Sequence, residues 1–464
     1  MWLLLLPVAQ AARPTSGSGL WAFDSSDVIE QYDSEGGRVR VTWSSSGPNE
    51  AASRDTDGDG IPDIVEDTAE IAEEALVLFE ELGFRPPVPE ADFGVEHLGG
   101  SPAFDFYLVD FGGGADGTFQ VDACSQVPAH CAGHMIVEND FAGSGYSSVR
   151  QGLEVVVPHE LFHGVQAAYE AELPVWMSEG TATWAELQWD PASSDYMRLA
   201  DGYLDDTQRP IFQAPTGPAS AWSYGTALWF DHVGTVQEDA LWVEELLTDM
   251  ERPSADPLDE VEVMLALFDA RGWEIAPLWQ SFSQWNLATD SRSGALEGYG
   301  YAKRIGPIEA EGEGEMVDDD HRFQPLATTY WRIDHGGGEL AFAIEASTPE
   351  LVFGLHSVAD GAEDGPVDEV LMTWRGDSQS LGELPAGGYW LWGAQDALND
   401  GSIKVRVCLG TPDQVADCEL VDTGDTGDTG ISEDPGGCGG CAGGGGLGGL
   451  WVLALGGVLL RRRR

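Results

Sequence analysis

Residues 159–163 read His-Glu-Leu-Phe-His, and Glu179 follows sixteen residues after the second histidine, inside Trp176-Met177-Ser178-Glu179-Gly180-Thr181-Ala182. On a helix, His159 and His163 are one turn apart and project from the same face. Two imidazoles so placed can hold one Zn²⁺, and Glu160 beside them can polarise the water that completes the shell. Zinc still wants a third protein ligand, and a carboxylate on a following helix is one solution. Glu179 falls where such a helix would make its first or second turn. Glu186 lies seven residues further on, on the same helical face, and is a rival ligand or a partner for a histidine N–H. The expected chemistry is metal-assisted hydrolysis of a polypeptide, with Glu160 as general base.

The segment around the motif is built for the interior. Val155, Val156 and Val157 precede it, Leu161 and Phe162 fill its middle, and Val165, Ala167 and Ala168 follow. Unpaired polar groups in such surroundings cost on the order of 1–3 kcal/mol each, and a metal removes that cost. Pro158 breaks the pattern, because proline inside a helix deletes a hydrogen bond at roughly 3 kcal/mol. A helix that starts or kinks at Pro158 is therefore expected.

His-Glu-x-x-His followed by Trp-x-x-Glu-Gly-x-Ala resembles the gluzincin metallopeptidases. The wording is nearest their aminopeptidase-type branch and the metalloproteases found in myxobacteria and their relatives. The resemblance implies a zincin-like domain with Zn²⁺ held by His159, His163 and Glu179; endopeptidase rather than aminopeptidase action is expected, because the element that would grip a free N-terminus is matched imperfectly. It differs from the family pattern in its spacer, which is a few residues short and leaves Glu186 open as the third ligand. Gluzincins often place a tyrosine near the site to hydrogen-bond the oxyanion, and Tyr224, in Ala221-Trp222-Ser223-Tyr224-Gly225, is the matching candidate; the alternative is a packed core tyrosine. Gly133-His134-Met135-Ile136-Val137-Glu138-Asn139-Asp140 reads as a strand before the active helix, placed where zincins pair an extended substrate with an edge strand. Glu138-Asn139 resembles the aminopeptidase element that grips a free N-terminus, with two residues inserted. His134 is a ligand only in a different scheme.

The 464-residue chain carries 22 Lys and Arg against 80 Asp and Glu, a formal charge of −58. That charge repels nucleic acid and anionic lipid, so neither is expected as a partner of the body, and a monomer is expected. Asp55-Thr56-Asp57-Gly58-Asp59-Gly60-Ile61-Pro62-Asp63-Ile64-Val65-Glu66 sets oxygen donors at loop positions 1, 3, 5, 7, 9 and 12. Asp55, Asp57, Asp59, the Ile61 carbonyl, Asp63 and Glu66 match an EF-hand-type Ca²⁺ loop, read here as structural.

Met1 to Ala12 is a short apolar run ending in small residues, read as an export signal. Cys124 with Cys131, and Cys408 with Cys418, are spaced to close local disulfides in an oxidising compartment. Val421 to Gly430 repeats Asp-Thr-Gly as an acidic, flexible linker. Beyond it come Cys438 and Cys441, an apolar stretch to Leu460 and four arginines. This end resembles the C-terminal sorting tails of myxobacterial surface proteins, which implies a cell-surface or outer-membrane location with Cys438 or Cys441 modified; a permanent membrane helix is the alternative.

The expected class is α+β: signal 1–12, a zincin-like domain 22–305 with its calcium loop at 55–66, a β-sandwich 306–420, a linker 421–437 and an anchor 438–464. Alternating runs such as Tyr330-Trp331-Arg332-Ile333 and Tyr389-Trp390-Leu391-Trp392 carry the sandwich reading. A second function of another class is a calcium-dependent surface binding protein on an inactive peptidase scaffold.

Overall fold

The computed structural model describes residues 12–418, apart from 96, 126–128, 252–259, 295, 360–364 and 399–400. The expected signal up to Ala11, the linker, Cys438, Cys441 and the apolar tail lie outside the described residues. Among the described residues, no helix is long and apolar enough to cross a membrane. The protein is α+β and forms two compact units, residues up to 203 with 212–274, and residues 204–211 with 275 onward.

The first unit is built on a five-stranded mixed sheet. Its strands are β1 (Ile29–Asp33), β2 (Val39–Ser44), β3 (Phe104–Val109), β4 (Gly117–Cys124) and β5 (Cys131–Glu138), in the order β1-β2-β3-β5-β4. β2, β3 and β5 run parallel, and β4 returns antiparallel along the outer edge of β5. All eight residues of β5 are buried, as expected for an interior strand covered on both faces. The strand expected to be an edge, residues 133–140, is therefore interior, and the edge position belongs to β4. Strand order is set by long-range pairing, which alternation along the chain does not encode.

Helices α1 (Asp63–Glu81) and α2 (Val149–Gln166) pack together and against one face of this sheet. On the other face, Tyr107, Val109 and Ile136 share a cluster with Phe23, and Trp21 packs against it. The stretch from Arg13 to Phe23 is thus an integral cover of the sheet. Arg13 anchors it, ion-paired to Glu90, Asp105 and Asp122 and hydrogen-bonded to the Tyr107 hydroxyl at 3.1 Å. Only 6% of Arg13 is exposed, so four chain segments meet on one buried guanidinium.

α2 starts where Ser148 caps it, its hydroxyl accepting the Gln151 N–H at 3.1 Å. Pro158 sits in its interior, well after this start, so the helix does not begin there. From Val155 to Gln166 every residue of α2 is buried, the pattern of a helix enclosed on all sides. The remaining helices of this unit are α3 (Val175–Trp189), α4 (Ser194–Leu204), α5 (Ala221–Gly225), α6 (Ala227–Val236), α7 (Trp242–Met250) and α8 (Glu260–Arg271).

The second unit opens on α9 (Ile275–Leu287). Its strands are β6 (Gly312–Gly314), β7 (Val317–Phe323), β8 (Ala327–His335), β9 (Gly338–Ile344), β10 (Thr348–Val358), β11 (Val367–Gly376), β12 (Gln379–Leu384), β13 (Gly387–Gln395) and β14 (Ile403–Gly410). They form two sheets, β11-β10-β13-β8-β6 and β12-β9-β14-β7. One apolar cluster takes Trp331, Phe353 and Leu391 from the first sheet and Phe342, Val407 and Leu409 from the second. Both expected disulfides are present: Cys124–Cys131 joins β4 to β5, and Cys408–Cys418 ties β14 to the end of the short helix α10 (Pro412–Asp417).

Candidate functional site

α2 presents His159, Glu160 and His163 toward α3, which presents Glu179 and Glu186. All five side chains are at least nine-tenths buried. The Nε2 atoms of His159 and His163 lie 3.4 and 3.6 Å from Glu179 Oε2. The three ligand atoms fall within 4.8 Å of one another, close enough for one ion to bridge them. The far side of each ring is held. His159 Nδ1 is 2.7 Å from Glu186 Oε1, and His163 Nδ1 is 2.8 Å from Gln166 Oε1.

These contacts choose the tautomer of each neutral ring. Glu186 accepts from Nδ1, so a neutral His159 keeps its proton there and presents the Nε2 lone pair to the centre. Gln166 gives its amide hydrogens to the Ser178 carbonyl and the Thr181 hydroxyl, each at 2.7 Å. Its oxygen is therefore left to accept from His163 Nδ1–H, and the second lone pair points inward as well. The structure separates the two rival glutamates: Glu179 faces both Nε2 atoms, and Glu186 braces His159 from behind.

The site carries its own electrostatic signature. Burial lowers the His159 pKa, but the adjoining Glu179 and Glu186 carboxylates outweigh it and raise the imidazole to about 10. Burial would raise Glu179, yet its two histidine partners pull it down to about 2. Glu160 goes the other way: burial pushes it up to about 7 against the pull of His163 and His159. Glu186 is likewise raised to about 7 by burial. His159 Nε2, Glu160 Oε2 and Glu179 Oε2 are all buried without a hydrogen-bond partner. Orphaned polar atoms of this kind cost free energy unless something else satisfies them.

Two close approaches set the walls. A Cβ on Gly117 would come within 2.6 Å of Val156 Cγ1 and 2.8 Å of Glu160 Cγ, so glycine lets edge strand β4 lie directly against α2. The Phe119 N–H of that strand bonds the Glu160 carboxylate. A Cβ on Gly180 would meet the Thr226 hydroxyl at 2.3 Å, so glycine after Glu179 lets α3 press onto the start of α6. Tyr224 on α5 is buried with its ring 5.7 Å from that of His159. Burial, then the charges of Glu179, Glu160 and Glu186, raise its pKa well above the ordinary value and keep its hydroxyl a donor.

Other candidates separate from this centre. His134 is fully buried on β5, 3.1 Å from Asp122 and edge-on to Tyr107. Glu138 accepts the Phe111 N–H and the Asn139 N–H, each at 3.0 Å, so both oxygens serve the backbone. At the acidic loop, the Asp55, Asp57 and Asp59 carboxylates converge within 4.8 Å and are exposed. Asp63 instead receives the Thr56 N–H and hydroxyl and pairs with Arg54 at 3.1 Å. Glu66 feels all four loop aspartates, and burial raises its pKa first. Gln166, Ser178 and Thr181 carry no motif. Their one signal in the sequence is polarity inside an otherwise apolar helix pair.

No known protein-family model matches the chain, and no curated protein aligns with it significantly. Among solved structures, PliG of Aeromonas hydrophila, a periplasmic inhibitor of g-type lysozyme, aligns at 16% identity. That alignment covers 21% of this chain and 94% of PliG, with a TM-score of 0.17. Legionella pneumophila aminopeptidase A, in complex with aspartic acid, aligns at 12% identity over 81% of this chain and 36% of its own, with a TM-score of 0.33. Neither likeness establishes a fold or an activity for this chain.

Proposed function

We propose that the first unit is a zinc-dependent peptidase, with His159, His163 and Glu179 holding the ion and Glu160 acting as general base. One observation carries this reading: the Nε2 atoms of His159 and His163 and a Glu179 oxygen converge within 4.8 Å in a buried site, His159 Nε2 and Glu179 Oε2 have no hydrogen-bond partner, and Glu186 and Gln166 lock the ring orientations. Zn²⁺ bound there would polarise a scissile carbonyl and bring the pKa of water toward ~7. Glu160, held in place through the Phe119 N–H, has its Oε2 available to take a proton from water and return it to the leaving amine. Tyr224 donates to the oxyanion. Strand β4, as the edge, offers main-chain groups to an extended polypeptide.

The wider assignments belong to the same proposal. The fold is read as zincin-like followed by a β-sandwich, and Ca²⁺ at Asp55, Asp57 and Asp59 as a structural ion. Two disulfides suit an exported protein, and surface anchoring would use the tail. The test is hydrolysis of an unfolded polypeptide such as casein by the purified chain, with and without a chelator. Cleavage lost on chelation and restored by Zn²⁺ is expected; cleavage indifferent to chelation would overturn the mechanism.

Gln166 provides a sharper check on the histidine geometry. Gln166→Leu keeps the volume and removes the acceptor for His163 Nδ1–H. Zinc affinity is expected to fall about 10–100-fold, the range for losing a partner behind a ligand, as read by competition with a chromophoric chelator. Unchanged affinity would show that His163 does not need this brace.

A further inference from the structure

Away from the metal centre, the Arg13 nest holds more negative than positive charge. Three carboxylates, Glu90, Asp105 and Asp122, surround one guanidinium, with the His134 ring beside Asp122. Asp105 is 1% exposed, and its Oδ2 serves Arg13 while its Oδ1 has no hydrogen-bond partner. A buried carboxyl oxygen left unpaired is costly, which makes it the kind of group a ligand satisfies.

Asp105 and Glu90 also line a cavity of about 400 Å³, within the size range of small-molecule sites. Its other walls are largely apolar and stiff: Leu76, Pro87, Val88, Pro102 and Phe104. The wall's one basic side chain, Arg38, is paired with Glu80 and leaves the carboxylates uncompensated. An apolar channel leading to carboxylates with a free oxygen fits a cation on an alkyl stem. Guanidinium suits it best, because a fork of donors can meet both Asp105 Oδ1 and Glu90.

We propose that this cavity binds an alkyl-guanidinium ligand, its charged head on Asp105 Oδ1 and its stem against Val88 and the prolines. The site is independent of the metal centre. The ligand comes from one of two sources, a free small amine or the arginine side chain of a peptide.

Calorimetric titration of the full chain with agmatine tests the proposal, alongside N-butylurea as the uncharged analogue and the peptide Ala-Arg-Ala. Agmatine is expected to bind saturably and at least about tenfold more tightly than N-butylurea, the discrimination a charge-assisted hydrogen bond supplies. Val88→Trp fills the cavity without touching the Arg13 nest and is expected to abolish binding. Asp105→Asn should weaken it about tenfold if the variant folds, and Val88→Trp keeps the test decisive if it does not. Chelation should leave agmatine binding unchanged. Tighter binding of Ala-Arg-Ala supports a peptide source, and weaker binding supports a free amine. No saturable binding, equal binding of the uncharged analogue, or binding that survives Val88→Trp would overturn the site.

Discussion

Glu160→Gln is expected to leave bound zinc unchanged and to lower turnover of an unfolded polypeptide by about 10²–10⁴-fold, the usual contribution of general acid–base catalysis. The substitution keeps the side chain's size and its acceptor for the Phe119 N–H, so the walls of the site should stand. What it removes is the base at Oε2, the atom with no other partner. The ligands His159, His163 and Glu179 are untouched, which is why metal content and turnover should part company. Metal analysis and steady-state rates on the same preparation provide the check. A variant that turns over at the native rate would show that the proton goes elsewhere; a variant that loses its zinc would show that Glu160 is a ligand.

The second large effect is on stability. Arg13→Ala strands Glu90, Asp105 and Asp122, each at most 5% exposed, without their shared cation. Breaking a buried ion pair by removing one partner typically costs about 3–5 kcal/mol, and here one guanidinium serves three carboxylates. The sign of the pH dependence follows from the same groups. In the intact protein, burial would raise Asp122, but His134 and Arg13 hold it below the ordinary value. A depressed carboxylate contributes stability above its unfolded pKa and loses it as the pH falls through its folded pKa. Without Arg13 that hold on Asp122 is lost and the cost of burying the carboxylates is no longer offset, so the folded state gains by protonation there. The deficit of Arg13→Ala, measured by urea unfolding, should therefore be largest near neutral pH and shrink toward pH ~4, around the unperturbed carboxylate range. A deficit under about 1 kcal/mol at neutral pH, the scale of an ordinary exposed pair, would contradict the anchoring role.

Much of the centre was legible because the code is local. His159 and His163 are fixed by one turn of helix, and the disulfide pairs by short spacing. The choice between Glu179 and Glu186 was harder, since both lie on one face of α3. The depth of that face sets them apart: Glu179 reaches the inner nitrogens, and Glu186 the outer nitrogen of His159. Pro158 left the helix start open between a beginning and a kink there; the Ser148 cap lies far upstream, and enclosure of α2 outweighs one lost backbone bond. The edge strand was misassigned for a different reason. Residues 133–140 read as a strand shortly before α2, but β4 pairs along the outer side of β5, a non-local fact. Gln166 and Arg13 left almost no trace, since one polar residue in an apolar run announces neither its partners nor their distance.

The central claim is that His159, His163 and Glu179 hold a metal ion, and the most direct measurement is elemental mass spectrometry of the purified chain and of Glu179→Ala. About one zinc per native chain, falling to a small fraction in Glu179→Ala, is the predicted result. Zinc absent from the native protein after zinc-supplemented purification, or fully retained by Glu179→Ala, would contradict it.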